Sequence, residues 1–180
     1  MIRRAVRVAL ASVAIAWIAD RWLAWCAGGG TPEPIESSVV IDAPIECVWQ
    51  VLADIEGQPR WMLDMKAVRI DGPGDVGVGT RAEADVRIFG LQTLDPITIT
   101  AFEPPCHFAI RHDGRFSGAG DIRLDPGVDG STTIVHWSET IVPPQLPHLG
   151  ARVLAPILRR VFQADLDRLR DLVETVSRGS

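Results

Sequence analysis

Residues 81–88 read Arg-Ala-Glu-Ala-Asp-Val-Arg-Ile. Charged and apolar side chains alternate one by one: Arg81, Glu83, Asp85 and Arg87 against Ala82, Ala84, Val86 and Ile88. Successive side chains of a strand point to opposite faces, so the stretch predicts a strand with a wet face and a buried face. It lies within a region, Met65 to Ile141, where short strand-like runs are separated by turn signals. These are Asp71-Gly-Pro-Gly74, Phe89-Gly90, Glu103-Pro-Pro105, Asp113-Gly114 and Asp129-Gly130. Consecutive short strands with no helix between them imply an antiparallel meander.

On the upstream side, Glu33–Ser38 reads as a polar linker and Val39-Val-Ile41 as a strand. Asp42-Ala-Pro44 opens a helix, since proline is tolerated in a first turn. Ile45, Val48, Trp49, Leu52 and Ile55 follow helical spacing, and Gly57 and Pro59 end the run before a short turn through Trp61 and Met62. On the downstream side, Leu149, Val153, Ile157, Val161, Leu166, Leu169, Leu172, Val173 and Val176 form a long apolar stripe opposite charged residues. Pro156 is expected to kink that helix or delay its start. The order is strand, two helices, about six strands and one long helix.

Length and composition bound the rest. A chain of 180 residues is close to one domain plus an appendage. Its 47% apolar and 23% charged residues exclude a disordered or collagen-like chain. Three cysteines without a Cys-x-x-Cys pair exclude a disulfide framework. Residues 1–30 carry net +3, from Arg3, Arg4, Arg7 and Arg21 against Asp20, within a total of −5. The acidic body argues against nucleic acid as a partner. One lysine, seventeen arginines and no Tyr or Asn read as the codon bias of a G+C-rich genome in preference to a functional cause.

Met1–Ala27 stands apart. Basic residues precede twelve uncharged ones, Val8–Ala19; then come Asp20, Arg21, Trp22 and Trp25 and a break at Gly28-Gly-Gly30. About 20 residues are needed to cross a bilayer, so a span must extend to Ala27 and hold Asp20 and Arg21 near one interface. Trp17, Trp22 and Trp25 suit a headgroup belt there, and the arginines favour the N-terminus inside. A signal peptide has the same profile, but no Ala-x-Ala site follows, and Leu23-Ala-Trp-Cys26 is a poor lipobox. A soluble extension is the third reading. Arg3, Arg7 and Arg21 share one helical face while Asp20 falls on another, so the amphipathic pattern is imperfect. The division is thus an apolar helix over 1–27, a linker over 28–35 and a domain over 36–177, with membrane association favoured over a secreted or cytoplasmic protein.

Four stretches resemble the START-like, or helix-grip, superfamily often called SRPBCC or polyketide cyclase/dehydrase. Val40-Ile-Asp-Ala-Pro-Ile-Glu-Cys-Val-Trp49 is similar to the opening strand and helix. Leu52-Ala-Asp-Ile-Glu-Gly-Gln-Pro-Arg-Trp61 resembles the Asp…Pro-x-Trp segment, Val78-Gly-Thr80 the start of a strand, and Thr133-Ile-Val-His-Trp-Ser-Glu139 the penultimate element. The resemblance covers about residues 36–176 and implies an α+β helix-grip fold: a curved antiparallel sheet of about seven strands wrapped around the long C-terminal helix, with the N-terminal helix added. It also implies a hydrophobic cavity between sheet and helix, used by some relatives for cyclase or dehydratase chemistry and by others to carry lipids or polyketides.

Gly72-Pro-Gly-Asp-Val-Gly77 matches a dinucleotide fingerprint by letter, but a strand follows where a helix is required, so it reads as a turn. His107, His112, His136 and His148 lack metal-ligand spacing, and neither metal nor cofactor is expected. His136 and Trp137 face opposite ways; if Trp137 points inward, Thr133, Val135 and Glu139 join it. An inward Glu139 needs a partner such as Arg111, unless it sits at the strand's exposed end. Desolvated, it is the one catalytic candidate, as a general acid or base. Trp61, after a Pro in the turn between helix and sheet, reads either as ordinary core packing, the favoured reading, or as a residue of the cavity mouth. Phe116, Gly118 and Gly120 share a face whose missing side chains admit either the last helix or a ligand, and Ala82 and Ala84 are small inward residues. The candidate ligand-binding set is Trp61, Ala82, Ala84, Phe116, Gly118, Val135 and Trp137. Three readings follow: a membrane-tethered binder of a hydrophobic small molecule or lipid, an aromatase/cyclase or dehydratase using Glu139, and a collapsed domain serving protein contacts.

Overall fold

The computed structural model describes residues 2–88 and 90–179. Expectations resting on Phe89 and on the side chains of Arg3, Arg7 and Ile88 lie outside the described residues. Helix α1 spans Ile2–Cys26 and strand β1 Ile35–Ile41. Helix α2, Ile45–Leu52, follows Pro44, whose carbonyl accepts the N–H groups of Cys47 and Val48. It buries Val48, Trp49 and Leu52. Ile55 sits past its end yet stays in the core, and a 3-10 turn covers Gln58–Arg60.

Six strands then run consecutively: β2 Met65–Ile70, β3 Arg81–Ile88, β4 Leu91–Glu103, β5 His107–Asp113, β6 Ser117–Pro126 and β7 Thr133–Val142. All neighbours are antiparallel, in the order β1-β7-β6-β5-β4-β3-β2. β1 closes the edge beside β7, with Ile35 opposite Glu139 and Ile41 opposite Thr133. Thr133 Oγ1 donates to the Ala43 carbonyl at 2.8 Å, tying β7 to the corner between β1 and α2. Register shifts at Met65/Ala67 and Ile99/Ala101 bend the strands, as bulges do, and the sheet curves. Residues Ala82 and Ala84 of β3 are buried and Arg81 and Arg87 exposed, the alternation expected of that stretch.

Helix α3, Pro147–Gly179, is 33 residues, about 50 Å, and lies in the concave face. Leu158, Phe162, Leu166, Leu169 and Val173 pack against the sheet in one apolar core with Trp49, Trp61 and Trp137.

Three expectations are corrected. β1 begins at Ile35, because Ile35 pairs with β7 and is buried, so the segment taken as linker is largely strand. Pro156 does not delay α3, which begins nine residues earlier at Pro147. The apolar stripe is narrower than its letters: Val153, Ile157 and Val176 are exposed, while the charged Asp165 is on the buried face.

Candidate functional site

A cavity of about 140 Å³ lies between α3 and the concave sheet. Ala84 and Val86 of β3, Ile97 of β4, Phe108 and Ile110 of β5 and Ile122 of β6 form its apolar floor. Leu158, Val161 and Phe162 of α3 form the roof, and Met62 and Met65 close one end. Leu94, 52% exposed, and the exposed Arg115 mark where the cavity meets solvent. This volume is close to that of an engineered apolar cavity known to admit benzene, and it exceeds that of a few waters, so the collapsed reading loses its basis.

One wall is polar. The inward positions of β7 are Thr133, Val135, Trp137 and Glu139, all buried. Trp137 packs tilted against Phe162 of α3, with ring centres 4.8 Å apart, and edge-on against Trp61 at 6.1 Å. Its indole N–H donates to Glu139 Oε2 at 2.8 Å. The other oxygen, Oε1, accepts from His112 Nε2 at 2.8 Å, and His112 Nδ1 donates to Asp95 Oδ2 at 2.6 Å. Asp95, His112 and Glu139 all line the cavity.

His112 stands on β5 and Glu139 on β7, two strands apart, about 10 Å between backbones. The strand between them presents Gly118 opposite His112 and Gly120 opposite Glu139. A Cβ at Gly120 would sit 2.6 Å from Glu139 Oε2, so the bridge needs glycine there. A Cβ at Gly114 would likewise collide with Asp95 Oδ1. The glycines make room for carboxylates.

Burial is the largest single influence on His112 and favours the neutral ring. The hydrogen bonds to Asp95 and Glu139, with their negative charge, outweigh it and push the pKa up to about 10. His112 is therefore an imidazolium at neutral pH, and both of its N–H groups donate. At the opposite side of the cavity, Asp165 Oδ1 accepts the Leu63 N–H at 2.8 Å. Burial, aided by the nearby Asp64, raises Asp165 to about 6 against the pull of the Leu63 bond and Arg168.

Of the residues singled out in the sequence, Ala84, Phe116, Gly120, Trp137 and Glu139 line the cavity. Trp61 does not; it is fully buried behind Trp137. Ala82 and Val135 are buried in the core outside the lining, and Gly118 packs on the Thr140 backbone. Arg111 is not the partner of Glu139: it is exposed and pairs with Asp113. His112 takes that place. Asp95 escaped sequence reasoning and His112 was weighed there only as a metal ligand, although strand alternation places His112 with Phe108 and Ile110, and Asp95 with Ile97. The remaining histidines lie elsewhere, His107 beside Asp121 and His136 near Asp125 on outward positions, and His148 in the first turn of α3. No three of His, Cys, Asp and Glu gather to hold a metal ion among the described residues.

Residues 34–174 match the family model described as polyketide cyclase / dehydrase and lipid transport. No curated protein matches the sequence. Among solved structures, the Zhui aromatase/cyclase of Streptomyces sp. R1128 aligns with a TM-score of 0.64 at 20% identity, over 78% of this chain and 93% of that one. A protein of Nitrosospira multiformis aligns at 0.60 and 20%, over 81% and 99%. A hypothetical protein of Helicobacter pylori aligns at 0.64 and 17%, over 79% and 89%. At these identities the likeness is one of fold.

Proposed function

Because this chain belongs to the family described as polyketide cyclase / dehydrase and lipid transport, we propose that it binds a hydrophobic small molecule, a lipid or polyketide-like compound, without covalent chemistry, at a membrane surface. The observation that carries this reading is the cavity itself: apolar floor and roof, with one polar wall built from Asp95, His112 and Glu139. Such a lining takes up an apolar body by desolvation and fixes its orientation through a few placed polar groups. A volume of about 140 Å³ accepts one ring or a short stretch of chain. The opening at Leu94 and Arg115 lets a longer ligand extend outward. Val8–Cys26 of α1 supports the membrane side, being long and apolar enough to cross a bilayer, a property it shares with signal sequences. In this reading Ala84, Phe116 and Trp137 touch the ligand directly, and Trp61, Ala82, Gly118 and Val135 hold the wall behind them.

A second reading is kept alive by the same wall. An aromatase/cyclase or dehydratase needs a proton-transferring group in its cavity, and Glu139 and His112 are both present. Binding is favoured because the polar groups of the wall are already engaged with one another: Glu139 accepts from Trp137 and His112, and His112 donates both of its N–H groups. Native mass spectrometry of the full chain released from detergent, with solvent extraction of what it carries, separates the two. A reproducible apolar adduct retained by Glu139→Gln is the expected result. A clean unliganded mass, together with turnover of a polyketide-like substrate that Glu139→Gln abolishes, would overturn it in favour of the enzyme.

A further inference from the structure

The two halves of α3 differ in a way the cavity does not require. From Pro147 to Ala164 the helix has no acidic residue and carries Arg152, Arg159 and Arg160, all exposed. From Asp165 onward acids return, and two of the three arginines there pair with them: Arg170 with Asp167 and Asp171, Arg178 with Glu174, while Arg168 stands among the acids without a salt bridge among the described residues. Arg152, Arg159 and Arg160 form no salt bridge among the described residues. Between them Val153 and Ile157 are 64% and 46% exposed. Their four-residue spacing continues to Val161, which lines the cavity. In a chain whose net charge is −5, an acid-free arginine cluster around exposed aliphatics is a local departure.

Helix α1 docks at this same end. Asp20 is 7% exposed in a largely solvent-facing apolar helix, with Ala16, Ala19, Leu23 and Ala24 half-buried on the same side. Its Oδ1 accepts the backbone N–H groups of His148 at 2.9 Å and Leu149 at 2.8 Å, donors that the first turn of a helix leaves unsatisfied. Asp20 lies six residues before Cys26, about 9 Å along the helix axis, inside the apolar run Val8–Cys26. With the C-terminal end of that run at the membrane interface, the Asp20 contact holds the first turns of α3 against the bilayer.

We infer that the face of α3 bearing Arg152, Val153, Ile157, Arg159 and Arg160 rests on an anionic lipid surface. The arginines meet phosphates, Val153 and Ile157 enter the interfacial layer, and the cavity rim at Val161 turns toward the same surface. A second copy of the chain on this face would oppose arginines to arginines, which argues for lipid as the occupant. The inference rests on the proposed membrane reading, with α1 as its anchor, and adds which face of the domain touches lipid.

The test uses the full chain with Cys26, Cys47 and Cys106 replaced by Ala, and one reporter cysteine carrying an environment-sensitive dye. Ile157→Cys reports the face; Val128→Cys, in the exposed turn between β6 and β7, is the reference. Each is floated with vesicles of phosphatidylcholine, with or without phosphatidylglycerol, containing headgroup spin labels. The dye at 157 is expected to be quenched roughly threefold more than that at 128 in the anionic vesicles, and the excess to fall by about half or more in the Arg152→Glu, Arg159→Glu, Arg160→Glu variant. Equal quenching at 157 and 128 in a chain that floats would overturn the inference while leaving the anchor intact. A chain that does not float loses both. Shielding at 157 that follows protein concentration and not lipid composition would assign the face to a second copy and also overturn it. Cargo retention by mass spectrometry reads the cavity separately from all of these.

Discussion

Gly120 holds the polar wall together by what it lacks. A His on β5 and a Glu on β7 meet only because the strand between them carries no side chain at that point, and the hydrogen bond crosses the gap at 2.8 Å. The consequence is a His112 held protonated near 10 against about 6.5 in an unfolded chain. Its contribution to stability is then complete below about 6.5 and disappears as pH rises through 10. In Glu139→Gln one of the two carboxylates is gone, so the His112 midpoint should fall from about 10 toward 6.5, read from its ring proton shifts by NMR. Gly120→Ala should act in the same direction by displacing the carboxylate. A midpoint unchanged in both variants would show that Glu139 does not hold the charge on His112. The sequence made Glu139 legible, because the alternation through Thr133, Val135 and Trp137 gave its direction. Its partner was not legible. Arg111 is the stronger charge, but parity on β5 turns it outward, and pairing across two strands is visible only once the order of the sheet is known.

At the scale of elements, α3 shows how far periodicity carries. Leu166, Leu169 and Val173 are buried as the stripe required. Val153 and Ile157 satisfy the same spacing yet face outward, since a hydrophobic letter states a preference for burial and not the presence of a neighbour. Asp165 breaks the pattern in the other direction. Its backbone acceptor bond to Leu63 anchors the segment before β2 to the helix, at the cost of a desolvated carboxyl raised to about 6. A raised carboxyl pKa means that the folded state holds the proton more tightly than the unfolded chain, whose value is 3.8. Stability therefore falls as pH rises from 3.8 to about 6 and stays lower above. Asp165→Asn keeps an oxygen for the Leu63 N–H and removes the charge. It should stabilise the protein at pH 7–8 by on the order of 1–3 kcal/mol, or several degrees in Tm, and the gain should vanish near pH 4. Thermal denaturation of both proteins across that range decides it; a variant less stable at every pH would mean that the carboxylate is needed in its charged form.

For the whole molecule the question is whether the hollow between sheet and helix is used or is merely a packing defect. Ala82 and Ala84 offer a matched pair: the same strand, the same face, 3% and 1% exposed, one outside the cavity lining and one within it. Leucine at 82 must displace packed neighbours, and overpacking costs about 1–3 kcal/mol. Leucine at 84 extends into open space of about 140 Å³ and meets no such resistance. Ala82→Leu should thus lower the Tm by several degrees and leave the cargo in place, whereas Ala84→Leu should hold or raise the Tm of the unliganded protein and abolish the apolar adduct. A bound ligand stabilises the folded state in proportion to the logarithm of its free concentration over Kd. Added extract should therefore raise the Tm of the parent chain and not that of Ala84→Leu. Equal loss of stability in the two variants would mean that the hollow closes in solution, and the binding reading would fail with it.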